Sequence, residues 1–156
     1  MSLRNPSINR ALEFLVAMMG LPLMFWMIYV DGDYRLSLLA CIFMLLWVAG
    51  IFRAIHEGLH LIAAYLHGVD ARSIRANRNN VYIDDVAKNI WIRIALYPLY
   101  LPLLVSSVIL PFDVVASFAV FLLLLSTCVS DVTGVIAVLR SSGSRVTDNE
   151  RGLFVA

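Results

Sequence analysis

Apolar residues crowd into four long stretches of the chain, and polar residues fall mainly between them. Residues 11–30, 36–67, 90–110 and 114–139 carry no polar stripe of the kind a surface helix shows. Each has the roughly 20 apolar positions that a helix needs to cross a hydrocarbon core about 30 Å thick. The boundaries are polar or helix-breaking: Asp31-Gly32-Asp33 after the first run, His67-Gly68 after the second, Pro111 after the third and Arg140 after the fourth. Gly20 with Pro22 should bend the first helix, and Pro98 and Pro102 fall inside the third. Runs this long exclude barrel strands. The pattern predicts an all-α integral membrane protein, a single membrane domain over residues 1–156 with four transmembrane helices and no repeat.

One interval breaks the helical pattern. In the 68–89 loop, apolar and polar residues alternate over Ala71–Ala76 and again over Val81–Asp84, on either side of Asn77-Arg78-Asn79-Asn80. Alternation around an Asn-rich turn reads as a short β-hairpin, or more plainly as a solvated basic loop. As a hairpin, Val81 and Ile83 would offer an edge on which an extended substrate could pair.

Composition removes the soluble alternative. Of 156 residues, 61% are hydrophobic and 15% charged, with a mean hydropathy of +0.84, against about half and about a quarter in soluble domains. So short a chain cannot bury that excess within itself. A net charge of +1 gives no footing for nucleic acid. Cys41 and Cys128 both lie inside apolar runs and form no disulfide framework. Arg4 and Arg10 precede the first run, but no small-x-small cleavage pattern follows it, so the first span is read as uncleaved. Arg4, Arg10, Arg72, Arg75, Arg78, Lys88, Arg140, Arg145 and Arg151 fall on one side of the four spans, and Arg35 on the other. Both termini and the 68–89 loop are thus expected on the cytoplasmic face of a multi-pass protein in the cell membrane.

Chemistry enters in the second run, as His56-Glu57-Gly58-Leu59-His60. Two histidines four apart lie one turn above each other on a helix, so both imidazoles can reach one Zn²⁺ at about 2.0–2.1 Å. Glu57, about 100° round the helix, can take a proton from the attacking water. With three His and three Glu in the chain, chance placement of this pattern has odds of roughly one in a thousand. Ionisable groups within an apolar helix are costly and mark function. The plainer alternative is mutual neutralisation: Arg53, four residues before Glu57, could pair with it, and the histidines could bond to neighbouring helices.

A catalytic zinc commonly has three protein ligands. His67 lies seven residues beyond His60, about 10 Å along a continuous helix, too far to share the ion, and reads as interfacial. Asp131 is the better third ligand, being the one acidic residue deep in the fourth run. Counted from the basic ends, His56 and His60 lie about 18 and 12 Å along their helix and Asp131 about 14 Å along its own, between the two. The alternatives are a protonated carboxyl or pairing with Arg53 or Arg93. Arg93 and Tyr97, four apart on the third helix, could face the site as transition-state donors or belong to the interface. Cys128, one turn from Asp131, reads as a packing residue.

An H-E-x-x-H on one membrane helix, an intervening Pro-containing span (Tyr97-Pro98 through Pro102) and Ser130-Asp131 on the next resemble the three-helix core of site-2 proteases. Over residues 40–156, including the charged ending Val146-Thr147-Asp148-Asn149-Glu150, the chain is similar to a small family of membrane zincin peptidases. That resemblance implies a peptidase with one Zn²⁺ per chain, cutting a membrane protein or peptide substrate at or within the lipid bilayer. It implies His56, His60 and Asp131 as ligands and Glu57 as base. Site-2 proteases present their aspartate as Leu-Asp-Gly, whereas this chain has Ser130-Asp131-Val132, which leaves the oxyanion donor unassigned. The rival expectation is a non-catalytic membrane regulator or scaffold that keeps a metalloprotease-like core.

Overall fold

The computed structural model describes residues 6–29, 34–76, 80–149 and 152–156. Arg4, Arg78, Arg151, Glu150, the Asp31–Asp33 boundary and the Asn77–Asn79 turn lie outside the described residues. Six α-helices and five strands follow among the described residues, in the order α1 (Pro6–Tyr29), α2 (Tyr34–Val48), α3 (Ile51–Leu66), β1 (Ile74–Ala76), β2 (Val81–Ile83), β3 (Val86–Ala87), α4 (Lys88–Leu96), α5 (Tyr100–Ile109), α6 (Val114–Arg140), β4 (Arg145–Asn149) and β5 (Gly152–Val155). Among the described residues, three segments are long and apolar enough to cross a membrane: Ile8–Trp26, Lys88–Ile109 and Val114–Arg140. A fourth arises if α2 and α3 count as one broken span.

That break corrects the continuous helix expected over 36–67. The apolar run turns by 65° between α2 and α3. Gly50 sits there at φ 72°, ψ 14°, the left-handed region that glycine enters without a Cβ penalty. The Gly50 amide bonds back to the Trp47 carbonyl, ending α2, while the Gly50 carbonyl accepts from the Ala54 amide to open α3. The third run is likewise divided: a 3₁₀ turn at Tyr97–Leu99, with Pro98 inside it, joins α4 to α5. The fourth run is one helix, opened by the Asp113 side chain accepting from the Ala116 amide at 2.5 Å.

The all-α expectation needs a second correction, because the mostly helical chain also carries two small antiparallel sheets. The 68–89 interval does form a hairpin, with Ile74, Arg75 and Ala76 opposite Ile83, Tyr82 and Val81. The charged ending is not a tail. Val146 pairs with Val86 on one side and Val155 on the other, making β4 the centre of a three-stranded sheet, β3-β4-β5.

Two cores result. Met24, Ala40, Phe52, Ala116, Ala119, Val120, Leu123 and Leu124 pack α1, α2, the start of α3 and α6 together. At the other end Ile83, Trp91, Ile94, Val135, Val138, Val146 and Leu153 join both sheets to α4 and the last turns of α6. The sheets thus form a cap, and the candidate site lies beneath it.

Candidate metal centre

His56 and His60 both point inward from α3, at 2% and 7% exposure, and Asp131 of α6 meets them at 7%. His56 Nε2 lies 2.8 Å from Asp131 Oδ2, His60 Nε2 lies 3.3 Å from the same oxygen, and the two Nε2 atoms are 3.1 Å apart. A tetrahedral ion with bonds of 2.0–2.1 Å sets its ligand atoms about 3.3 Å apart, so the three-atom triangle has nearly the right edges. Two histidines and one carboxylate, each offering one atom, form a buried group that could hold a metal ion.

The surroundings orient these donors. His60 Nδ1 is 3.0 Å from the Ile94 carbonyl of α4. A carbonyl only accepts, so Nδ1 donates to it and Nε2 is the nitrogen turned toward the cluster. On His56 the outer nitrogen, Nδ1, faces Thr127 Oγ1 at 3.5 Å and Cys128 Sγ at 3.6 Å. Cys128 therefore backs His56 from the side away from the cluster, in keeping with a packing residue. Three lone-pair donors converging in a buried place need a cation or a shared proton; the donor set suits a divalent ion of zinc type.

Glu57 stands beside this triangle on the wall of a cavity of about 460 Å³. Its Oε2 accepts the Val81 amide of β2 at 2.8 Å. The Arg53–Glu57 pair is not formed: Arg53 Nη2 reaches Asn80 Oδ1 at 3.4 Å. Val81 and Ile83 both line the cavity, as does His60 with Asp131. Arg93 and Tyr97 do not line it. Arg93 is exposed on α4, and Tyr97 packs edge-on against Tyr100, ring centroids 5.5 Å apart. His67 caps the C-terminal end of α3, outside the cluster.

The cavity also draws in residues that pattern reading passed over. Arg10 and Glu13 of α1, Tyr82 of β2 and Ser130 of α6 face it, as does the buried Asp148 of β4. The Asp148 signal was available in the alternation of Arg145-Val146-Thr147-Asp148 and Leu153-Phe154-Val155, which brackets a turn as a hairpin does. No family model, curated protein or solved structure matches the chain.

Proposed function

We propose that this protein is a multi-pass membrane peptidase dependent on zinc, in which His56, His60 and Asp131 hold the ion and Glu57 moves the proton. One observation carries the reading: two imidazole nitrogens from α3 and a carboxylate oxygen from α6 converge within 3.3 Å at a buried point, with a further carboxylate on the adjoining cavity wall. The likeness of the H-E-x-x-H helix and Ser130-Asp131 to the site-2 protease core belongs to the same reading.

A bound zinc ion would supply Lewis acidity, polarising a peptide carbonyl and letting water attack near neutral pH. The chain's own groups do the rest. Ile94 fixes the His60 tautomer, and Asp131 offsets part of the ion's charge. Glu57 takes the water proton and delivers it to the leaving nitrogen. The substrate is a membrane-associated protein or peptide, held extended along Val81 and Ile83, because a helix hides its peptide bonds from attack.

A second reading is favoured by the Val81 amide on Glu57: a base already engaged suits a non-catalytic regulator that keeps the metal site. The two separate in one experiment on detergent-purified protein. Zinc content near one per chain, lost in folded His56→Ala and Asp131→Ala variants, supports the metal centre; none in the wild type after zinc is supplied overturns it. Hydrolysis of casein by the wild type but not by zinc-retaining Glu57→Gln supports the peptidase. Equal inactivity of both across casein and a lipid-anchored peptide library supports the regulator.

A further inference from the structure

Three measures of depth converge on the same level for the His56–His60–Asp131 cluster. The first is the length of α6. Its 27 residues make about 40 Å of helix, some 10 Å more than a hydrocarbon core. The surplus lies at the capped end, where Val135 and Val138 are buried with Val146 and Leu153 of the sheet. Strands carrying Arg145 and Asp148 cannot sit in lipid, so the last turns of α6 stand clear of it. Asp131 is 18 residues beyond the Asp113 cap, about 27 Å, and hence about 3 Å below the capped surface.

The second measure is the register of α1 on α6. Thr133 Oγ1 donates to Asn9 Oδ1 at 3.1 Å, and Gly20 rests against Ala119, Leu122 and Leu123. This antiparallel register sets Arg10 level with Val132 and Glu13 level with Val129. Arg10 and Glu13 both line the cavity at this level, and charged groups at membrane depth open onto water. The third is the 65° turn before α3. Sixteen residues of α3 span about 24 Å but advance only about 10 Å along the direction of α2. Ile51, Ile55, Ile62, Tyr65 and Leu66 are exposed on this oblique helix, opposite His56 and His60. The apolar face continues that of α2, where Leu38, Ile42, Leu45 and Val48 are exposed, so the same lipid covers both.

Resting on the metallopeptidase reading, we infer that the site works at the bilayer surface, and that its substrates are extended segments flanking or lying on the membrane rather than helices within the hydrocarbon. The cavity walls suit water and main chain: Arg53, Asn80 and Asp148 line it with Glu57. A juxtamembrane segment enters such a space already extended, whereas a spanning helix would have to unwind and leave the lipid first.

Spin labels on the full chain in phosphatidylcholine–phosphatidylglycerol nanodiscs test the placement. Ile55→Cys and Ile62→Cys, each with Cys41→Ser, put labels on the exposed face seven residues apart. Depth is read from relaxation by oxygen against a soluble nickel chelate. An oblique α3 gives a depth difference of about 4 Å with both labels near the headgroups; a helix upright in the bilayer gives about 10 Å. Ile51→Cys with Tyr65→Cys repeats the test over fourteen residues, about 9 Å against about 21 Å. Small differences at shallow depth support the inference. A difference near 10 Å for the first pair, or labels both more than about 10 Å deep, overturns it. Neither reading depends on metal, so a failed zinc assay and a failed depth assay point to different errors.

Discussion

The two ends of α6 are held by different physics. From Ala116 to Leu124 its buried residues are small or aliphatic, and α1 approaches with Gly20 in the contact. Fit there is a matter of shape. From Ser126 to Asp131 the same helix turns hydroxyls and a carboxylate toward the cavity. Ser126 and Thr127 donate their hydroxyls to carbonyls three residues back, so they place polar atoms near the site while satisfied within their own helix. Asp131 makes the shortest contact to α3, at 2.8 Å from His56, with Thr127 and Cys128 behind the same imidazole. The apolar end is thus sensitive to volume and indifferent to which aliphatic group supplies it. The capped end is sensitive to single atoms.

The sharpest break of that contrast is Asp131→Ala. It removes one of three converging donors and should weaken zinc binding on the order of 100-fold or more, read by competition with a chromogenic chelator. An equal loss from a conservative change at Leu123 would dissolve the distinction between the ends. Next in size is Gly143→Ala. A Cβ there would collide with the Ala156 backbone and with Val155 of β5, where the Ser144 and Arg145 amides bond to the Ala156 carbonyl at 2.8 and 3.0 Å. A cost of about 2–3 kcal/mol is expected, with the cap loosened before the bundle, as hydrogen exchange of β4 and β5 amides would show. Gly20→Ala is milder. Its Cβ would meet Leu123 Cγ at 3.1 Å and the Ala119 carbonyl oxygen at 3.2 Å, tight contacts that helices relieve by moving apart slightly. About 1–2 kcal/mol of lost stability, with zinc binding unchanged, would confirm that the two ends are separable.

Legibility in the sequence follows the same division. The fourth run shows its limits because Asp113 and Arg140 bracket an uninterrupted apolar stretch, and α6 matches it. The helical spacing of His56 and His60, with the depth count that selected Asp131, names the three residues that come together. That count treated 36–67 as straight, yet the level it gave Asp131, between the two histidines, agrees with their convergence. The turn at Gly50 stayed hidden because Ala49-Gly50 interrupts no periodicity within a wholly apolar run; a glycine there is equally compatible with a straight membrane helix. The β3-β4-β5 sheet was hidden for another reason. β3 has two residues, and its pairing with β4 spans about sixty positions of sequence, beyond any local pattern. Arg93 and Tyr97 were proposed from spacing on one helix, and spacing does not say which face of α4 meets the site.

Smaller effects probe the hairpin that joins the site to the cap. Glu57→Gln keeps the shape of the side chain but exchanges a carboxylate acceptor for a neutral amide opposite the Val81 amide. A hydrogen bond to a charged group contributes about 1.5–3 kcal/mol and a neutral one about 1 kcal/mol. The variant should lose about 1 kcal/mol of local protection at Val81 by hydrogen exchange, with no change in the affinity of the His56–His60–Asp131 group for added zinc. Unchanged protection at Val81 would show that the hairpin is held by Ile83 and its apolar neighbours and that Glu57 contributes nothing to its position.

The smallest effect is expected where the cap touches water. Arg145 of β4 bonds through Nε to the Asp85 carboxylate and through Nη2, at 2.5 Å, to the Asp85 carbonyl, clamping the residue before β3 at its left-handed φ of 53°. The Arg145 guanidinium holds the Asp85 carboxyl below the usual carboxylate range. A carboxyl depressed in the folded state adds stability that is fully present above its unfolded value, near pH 4, and disappears as pH falls through the folded value. Arg145→Gln should therefore lower the thermal midpoint slightly at pH 7, with the gap to wild type closing as pH drops below about 4. Both groups are open to solvent, so salt should shrink the same gap at neutral pH. A gap that persists at pH 2 would mean that the clamp acts through the Asp85 carbonyl and the packed stem of Arg145, with the charge pair irrelevant to the cap.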